Sequence, residues 1–262
     1  MLGLAGEVGE LASEYKKRLR DGEAHGAHRE RVEEELGDIL WYLTDVAACF
    51  DLSLEIVAEK NLKKCQARWG QSNGIRRPHF DASFPEEQCF PREMEIQFIV
   101  EEEKGRNVVR MLYDGQQLGN DITDNAIEDD GYRYHDVFHL TCAAKLGWSP
   151  VLRKLMGRKR KASHQVDEVQ DGGRAQVIEE AISALAFAYA QEHHYLKNVD
   201  FLDSDLLRII KKLTQHLEVS VCSPKEWEDV FLSAYDVWRE LKQRKGGVVH
   251  LNLYNRTIQL EP

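Results

Sequence analysis

The chain has 262 residues, which exceeds the usual size of a single domain and makes two domains the default expectation. Its 42% hydrophobic and 31% charged residues describe an ordinary globular protein and exclude a disordered one. The formal net charge of -10 argues against broad, sequence-independent nucleic-acid binding, which needs a basic surface. Nucleic acid is therefore not an expected partner.

Cysteine usage and the length of the apolar runs bear on the compartment. The five cysteines are scattered and show no CxxC spacing, which argues against a structural zinc site or a disulfide framework and favours a reducing environment. Glu7 and Glu10 interrupt the first apolar run, so no signal peptide is expected. No run reaches the roughly 18 apolar residues of a membrane span. We therefore expect a cytoplasmic protein without a membrane partner.

The first 70 residues show helical periodicity. Apolar residues recur at helical spacing over residues 3–20 and 29–50, and a third helix is predicted over residues 54–69. Three helices with short connections predict a small all-α domain over residues 1–70.

Residues 71–92 differ in composition from the segments on either side. Three of the six prolines fall here among Gly, Ser and Asn, and the helical periodicity stops. This composition predicts a linker between two domains.

Residues 93–262 combine two periodicities. Two pairs of segments alternate apolar and polar residues, as β-hairpins do: 94–100 with 108–112, and 248–253 with 257–260. Because hairpins are marginal alone, we expect these two to share one sheet. Four helices are predicted between them, near 121–147, 175–195, 202–217 and 224–244, with Asp121 and Ser223 among their N-caps. The predicted fold class is mainly α, with an all-α N-terminal domain and an α+β C-terminal domain.

Two pairs of carboxylates lie in the N-terminal domain. Glu7 and Glu10 are three apart on the first helix, so they share a face, and Glu35 and Asp38 repeat this spacing on the second. If the helices pack antiparallel, the four carboxylates converge on one or two hydrated cations. Mg²⁺ prefers such oxygen ligands and is the expected cofactor, with Mn²⁺ as a substitute. The alternative is solvent-facing charge, which is common in a chain with 45 acidic residues.

Three glycines accompany these carboxylates. Gly6 and Gly9 lie beside the first pair, and Gly37 lies inside the second. Each costs about 1 kcal/mol of helix stability relative to Ala. We therefore expect the two helices to approach closely at these glycines.

The sequence around both pairs resembles a known enzyme family. The segments GLAGEVGELA at 3–12 and EELGDILWYL at 34–43 carry an ExxE motif, a spacer of 24 residues and an ExxD motif. On these motifs, residues 3–69 resemble the MazG-like all-α nucleotide pyrophosphohydrolases. The resemblance implies hydrolysis of (deoxy)nucleoside triphosphates to a monophosphate and pyrophosphate, Mg²⁺ on the four carboxylates, and a homodimer or higher homo-oligomer. The family also has a helix before the first ExxE motif, which leaves open either a truncated start or a site covered by another segment.

Phosphoryl-transfer chemistry suggests a role for each residue. Metal ions neutralise the triphosphate and acidify the attacking water, and Glu7 or Glu10 is expected to accept its proton. Asn61 and Lys64 match the family's later Asn and Lys, so the resemblance implies that they bind substrate. Lys16 is a further candidate for a phosphate contact, although a lysine in the last turn of a helix equally complements the helix dipole.

A second group of ligand-type side chains lies in the C-terminal domain. His135 and His139 are four apart with Asp136 between them, which on a helix creates a two-histidine metal face. Glu179 and Glu180 follow on a later predicted helix. A mixed N/O site suits Zn²⁺, Ni²⁺ or Mn²⁺ better than Mg²⁺. The alternative is that both histidines are structural, half-buried side chains.

Several hypotheses cover the role of the C-terminal domain. The segment around Glu179 looks like the helix that carries Glu35 and Asp38, with Ser183 at the position of Asp38, which suggests a degenerate second copy. A metal-dependent hydrolase with its site in this domain is a rival hypothesis. We predict instead that the domain does not hydrolyse triphosphates and acts as a scaffold or regulatory ligand-binding module.

Two surfaces and one functional alternative complete the predictions. The apolar face over residues 36–50 is wide for a three-helix unit, and a second copy of the chain would bury it. The basic run over residues 153–161 is expected to be a solvated loop. The N-terminal carboxylates would also suit a non-catalytic module that senses triphosphates, so an enzyme and a sensor remain alternatives.

Overall fold

The computed structural model of this protein describes residues 1–69, 77–103 and 105–262. The chain forms two compact units, Met1–Gly70 and Gln71–Pro262. The predicted fold class is confirmed, because the first unit is helical and the second combines helices with an antiparallel sheet. Within the described ranges, no helix is both long enough and apolar enough to cross a membrane.

The first unit contains the helices α1 (Leu2–Asp21), α2 (His28–Cys49) and α3 (Leu54–Trp69). Helices α1 and α2 pack against each other. Gly3 at the start of α1 lies against Tyr42 toward the end of α2, whereas Glu14 bonds to His25, which precedes α2. The start of α1 therefore contacts the end of α2, and the end of α1 contacts the residues that precede α2. The two helices are antiparallel.

The close approach of α1 and α2 occurs at a glycine other than the three expected. A Cβ added to Gly3 would lie 2.3 Å from Cε1 of Tyr42. At Gly6, Gly9 and Gly37, an added Cβ would meet nothing within 4 Å. The expectation of close helix packing at those three glycines is therefore wrong, and nothing in the structure explains them.

The second unit is built on one five-stranded antiparallel sheet. Its strands are β1 (Glu93–Glu103), β2 (Arg106–Tyr113), β3 (Gln116–Ile122), β4 (Gly246–Asn252) and β5 (Thr257–Leu260), in the spatial order β3-β2-β1-β4-β5. The two predicted hairpins share this sheet, as expected, because β1 pairs with both β2 and β4. Met94, Ile96 and Phe98 alternate with exposed residues along β1 and are buried on one face.

The strand β3 and the loop after it replace the first part of the helix predicted over residues 121–147. Asp121 belongs to β3 and accepts a hydrogen bond from Arg110 of β2 instead of capping a helix. Gly131 has a φ of 95°, a left-handed conformation that interrupts helical geometry. The helix α4 therefore begins later and spans Asp136–Leu146. A cross-strand ion pair, which local sequence does not reveal, determines the conformation of Asp121.

Five more helices follow α4 in the chain. They are α5 (Pro150–Leu155), α6 (His164–Val169), α7 (Gly173–Glu192), α8 (Ser204–Thr214) and α9 (Pro224–Arg244). Ser223 caps α9 as predicted: its hydroxyl accepts the Glu226 amide at 3.2 Å, and the Glu226 carboxylate accepts the Ser223 amide at 2.8 Å. The short helices α5 and α6 were not predicted.

The described part of the predicted linker packs within the second unit. Asp81 is fully buried, and it accepts hydrogen bonds from Arg92 at 2.7 Å and from the Phe90 amide at 2.8 Å. Phe90 is itself only 1% exposed. Residues 77–92 are therefore folded against the sheet unit, whereas residues 70–76 lie outside the described residues.

The basic run over residues 153–161 is not the solvated loop that we expected. Arg153 and Arg160 are each 1% exposed. Arg153 donates to Asp81 at 2.9 Å, and Arg160 donates to Asp171 at 2.7 Å and to Glu218 at 2.6 Å. These carboxylates lie far away in the sequence, and their pairing offsets the cost of burying the guanidinium groups.

The hydrophobic core of the second unit lies where α4 and α9 pack on each other and on strands β4 and β5. Its largest fully buried side chains include Trp148, Tyr134, Phe231, Ile96 and Met111. This core supports the start of α4, where the two histidines singled out above are located.

Candidate active site

Three of the four predicted carboxylates of the first unit come together. Glu7 and Glu10 lie on one face of α1, and the antiparallel packing places Glu35 of α2 opposite them. One carboxylate oxygen from each of these residues lies within 4.8 Å of the others. Glu35 is buried at 8% exposure, Glu7 is half-buried and Glu10 is exposed. The group therefore opens to solvent on one side.

The electrostatics of this group suit a cation. Burial raises the pKa of Glu35, and the neighbouring charges of Glu10, Glu7, Glu34 and Asp38 raise it further. A positive ion among these oxygens would relieve the repulsion that raises this pKa. The donors are all carboxylate oxygens, which are the ligands that Mg²⁺ and Mn²⁺ prefer. The residues present therefore fit the metal that the sequence resemblance implies.

Asp38 lies at the edge of this group. It is exposed on α2, three residues after Glu35, and it is not among the three carboxylates whose oxygens converge within 4.8 Å. Its charge nevertheless contributes to the raised pKa of Glu35.

The predicted substrate-binding residues are spread over two helices. Lys16 is exposed on α1, six residues after Glu10, and Asn61 is exposed on α3. Lys64 follows Asn61 on α3, but its side chain lies outside the described residues. The role of each as a substrate contact stays a prediction.

A second group in the first unit was missed by the sequence analysis. Glu14 is buried, and its carboxylate accepts hydrogen bonds from Lys17 and from Nε2 of His25, the latter at 2.9 Å. These bonds lower the pKa of Glu14. A ring nitrogen of His28 lies within 4.8 Å of ligand atoms of both Glu14 and His25. The group joins the end of α1 to the start of α2, and the two histidines three apart were the signal that could have indicated it.

In the second unit, the N-cap residue His135 and His139 of α4 meet the glutamates of α7. One ligand atom each from His135, His139 and Glu180 lies within 4.8 Å of the others. Nδ1 of His139 lies 2.9 Å from Oε1 of Glu179, which is fully buried. The other oxygen of Glu179 accepts the Val151 amide at 2.9 Å. The predicted second group is thus assembled: Glu179 contacts Nδ1 of His139, and Glu180 lies 3.4 Å from its Nε2.

Asp136 and the backbone complete the surroundings of this cluster. Nδ1 of His135 donates to the Tyr132 carbonyl at 2.9 Å, and its ring stacks on the Tyr132 ring with centroids 4.4 Å apart. Asp136 Oδ1 lies 3.6 Å from Nε2 of His135. Burial alone lowers the pKa of His139, but Glu179 and Glu180 together raise it well above its ordinary value.

Ser183 does not take part in a duplicated carboxylate site. It is 2% exposed on α7, and its hydroxyl has no hydrogen-bond partner among the described residues. Glu179, which the sequence aligns with the acidic helix of the first unit, bonds to a histidine instead of facing a second ExxE pair. The acidic residue of α7 therefore faces a histidine, whereas Glu35 of α2 faces two carboxylates.

The chain was compared with known proteins. Residues 1–71 match the MazG nucleotide pyrophosphohydrolase domain, and residues 75–262 match the MazG C-terminal domain. The Gene 37 protein of Mycobacterium phage L5 is 42% identical over 69 residues, which cover 26% of this chain and 60% of that protein. No solved structure matches the chain.

The two family matches follow the two units of the structure. The first covers the helices that carry the acidic group, and the second covers the sheet and the helices α4 to α9. The second match alone spans more than half of the chain. The chain belongs to the MazG family, with a MazG nucleotide pyrophosphohydrolase domain followed by a MazG C-terminal domain.

Proposed function

We propose that this protein hydrolyses (deoxy)nucleoside triphosphates to a monophosphate and pyrophosphate in a Mg²⁺-dependent reaction at the acidic group of α1 and α2. The observation that carries the proposal is the convergence of Glu7, Glu10 and buried Glu35 within 4.8 Å in a unit that matches a nucleotide pyrophosphohydrolase domain. Like charges at such distances repel each other unless a cation lies between them, which supports a functional role for the group.

Each carboxylate has a distinct position in the proposed reaction. Glu35 is buried, so its oxygens are held in place and shielded from water on one side. Glu7 and Glu10 face the open side, where one of them accepts the proton of the attacking water while the other holds the ion. Asp38, at the rim, completes the ligand set. When bound, Mg²⁺ neutralises the triphosphate charge and makes a nearby water more acidic.

The substrate side of the proposal rests on cationic and amide groups around the acidic group. Lys16 and Lys64 contact phosphate oxygens, because an ammonium group serves as a compact point charge for phosphate. Asn61 orients the ribose or a metal ligand. Mn²⁺ replaces Mg²⁺ at the same oxygens.

A second copy of the chain is part of the proposal. Leu40 and Trp41 on α2 are 60% and 73% exposed, Phe50 directly after α2 is 69% exposed, and Ile56 on α3 is 52% exposed. Exposed apolar surface of this extent marks an interaction site. We infer a homodimer or higher homo-oligomer formed through the first unit. The exposed free thiol of Cys49 fits a reducing compartment, and we place the protein in the cytoplasm.

A nucleotide sensor that binds triphosphate without hydrolysis is the second candidate function. The position of Asp38 favours it, because the group that converges among the described residues has three of the four predicted carboxylates and so lacks one ligand of the expected catalytic set. A sensor would bind nucleotide and Mg²⁺ yet release no pyrophosphate.

Pyrophosphate release from canonical and modified (deoxy)nucleoside triphosphates with Mg²⁺ separates these functions. We expect turnover of at least one substrate, and a loss of about 100-fold or more in Glu35→Gln, the order typical of losing a catalytic side chain. The matched control is Glu34→Gln, since Glu34 is its exposed neighbour and pairs with Arg31 at 3.1 Å. Tight nucleotide binding without pyrophosphate release would establish the sensor. Unchanged turnover in Glu35→Gln would move the chemistry to another part of the chain.

A further inference from the structure

The histidine–glutamate cluster of the second unit has the donor set of a transition-metal site. His135, the N-cap residue of α4, and His139 in its first turn contribute nitrogens, and Glu180 contributes an oxygen from α7. The three ligand atoms lie within 4.8 Å of one another, so one ion can contact all of them. Two imidazoles and one carboxylate are a recurrent ligand set for Zn²⁺.

The hydrogen bonds of both imidazoles leave the same nitrogen available. The Tyr132 carbonyl can only accept, so Nδ1 of His135 carries the hydrogen and Nε2 keeps its lone pair. Glu179 orients His139 in the same way, with its carboxylate 2.9 Å from Nδ1, and an ion at Nε2 would replace the second proton that the raised pKa of this imidazole favours. A carboxylate or carbonyl behind each imidazole is the arrangement that orients metal-binding histidines.

Glu179 is itself held rigidly. It is fully buried, and its second oxygen accepts the Val151 amide at the start of α5. The orientation of His139 is therefore fixed from a third helix, independently of any bound ion.

An unpaired donor atom points into the cluster. His139 is 1% exposed, and its Nε2 has no hydrogen-bond partner among the described residues. A Glu180 oxygen forms an ion pair with it at 3.4 Å, a separation longer than that of an ordinary charge-assisted hydrogen bond. A buried polar atom without a partner is costly and calls for an explanation. An ion between Nε2 of His139, Nε2 of His135 and Glu180 would supply that partner.

We propose that the second unit binds a divalent transition-metal ion, Zn²⁺ in the first instance, through Nε2 of His135, Nε2 of His139 and the carboxylate of Glu180. Imidazole nitrogens favour Zn²⁺ over Mg²⁺, which separates this site chemically from the all-oxygen group of the first unit. The Glu180 side chain is 47% exposed, so the ion is reached from solvent on that side. Three protein ligands leave a fourth position for water or for an oxygen of a small ligand.

The experiment counts bound Zn²⁺ on the full chain in excess Mg²⁺, by calorimetric titration and by metal analysis after desalting. The site variant is His135→Ala/Glu180→Gln, which should bind one equivalent less than the wild type. His164→Ala is the matched control, since His164 is 91% exposed and faces a single carboxylate, that of Glu168. His25→Ala separately reports any ion held by the histidine group of the first unit.

A direct spectroscopic readout accompanies the count. Zn²⁺ should shift the ¹⁵N resonances of Nε2 in His135 and His139 and leave their Nδ1 protons in place. If the double variant does not fold, Glu180→Gln alone, at a half-exposed position, should weaken Zn²⁺ binding at least about tenfold. Equal numbers of bound ions in the wild type and the site variant, with unshifted Nε2 resonances, would show that His139 is an ion-paired structural residue.

The test is independent of the proposed pyrophosphohydrolase. Glu35→Gln should lose pyrophosphate release and keep the full complement of Zn²⁺, because it changes only the first unit. Loss of Zn²⁺ from that variant would overturn the assignment of the ion to the second unit.

Discussion

The two units of this chain differ most in how they bury apolar surface. In the first unit, Ala47 is the one buried hydrophobic residue among the described side chains, and Trp41 is 73% exposed. In the second unit, Trp148 and Ile182 are 1% and 0% exposed within a continuous core. Burial of apolar surface is the dominant stabilising contribution to folding. The second unit therefore has its own source of stability, whereas the exposed apolar face of the first unit is the reason that we propose self-association.

The two units also treat buried charge in opposite ways. In the second unit, Asp81 and Asp171 are buried against Arg153 and Arg160, so opposite charges neutralise each other. In the first unit, Glu35 is buried beside other carboxylates. Opposite charges in contact offset the cost of burial, whereas like charges in contact repel each other, which is why we propose a cation at the acidic group.

The largest effect is expected from removing a paired charge of the second unit. Arg153→Met leaves Asp81 buried with one cationic partner fewer and should reduce the free energy of unfolding by about 3–5 kcal/mol. Chemical denaturation followed by tryptophan fluorescence measures this. Arg208→Met is the control, since Arg208 is 78% exposed and pairs with Asp205 on the surface. Similar losses of unfolding free energy in both variants would show that the buried ion pair contributes no more to stability than the surface pair.

A charge on the apolar face should affect the first unit alone. Leu43→Asp on α2 should weaken self-association about 100-fold, equivalent to about 2.7 kcal/mol, and reduce pyrophosphate release with it. Sedimentation at several protein concentrations measures the first effect. Arg29→Asp, at an exposed position in the first turn of the same helix, should leave assembly intact. A wild-type protein that is monomeric at micromolar concentration would contradict the proposed assembly.

Acid should destabilise the second unit through Asp81. Burial raises the pKa of Asp81, but Arg92, the Phe90 amide and Arg153 outweigh it and lower the pKa to about 2. Because the folded-state pKa is depressed, the stabilisation is present above the unfolded pKa and is lost as pH falls from about 4 toward 2. The loss amounts to about 2 kcal/mol.

The measurement is the free energy of unfolding of the second unit as a function of pH. Asp81→Asn should start from a lower stability at neutral pH and show a shallower decline in acid. A parallel decline in wild type and variant would show that other groups control the acid sensitivity.

The smallest effect on stability is expected from replacing single glycines of α1 with alanine. Gly6→Ala adds a Cβ in open space and should raise the stability of the first unit by up to about 1 kcal/mol through helix propensity. Gly3→Ala must displace the Tyr42 ring, 2.3 Å from the new Cβ, and should lose that gain or destabilise the unit. Thermal unfolding followed by circular dichroism compares them. Equal gains in both variants would show that Tyr42 moves aside at no cost.

Local sequence determined the features of this protein that depend on neighbours within a few residues. The three-residue spacing of Glu7 and Glu10 places them on one helix face wherever the helix packs, because helical geometry alone sets that relation. The two hairpins and the Ser223 cap follow from side-chain alternation and from a hydrogen bond spanning three residues. The acidic motifs could be assigned to a family for the same reason: their chemistry is contained in short segments.

Only the tertiary structure decided which of these groups become buried and what each one faces. Glu35 and Asp38 have the same local spacing as the first pair, yet the packing of α1 on α2 buries Glu35 and leaves Asp38 exposed. Arg153 and Arg160 sit in a run that reads as a solvated loop, and they are buried because Asp81, 72 residues from Arg153, and Asp171 reach them. The free energy of a buried charge depends on partners that the chain supplies from a distance, and periodicity contains no information about them.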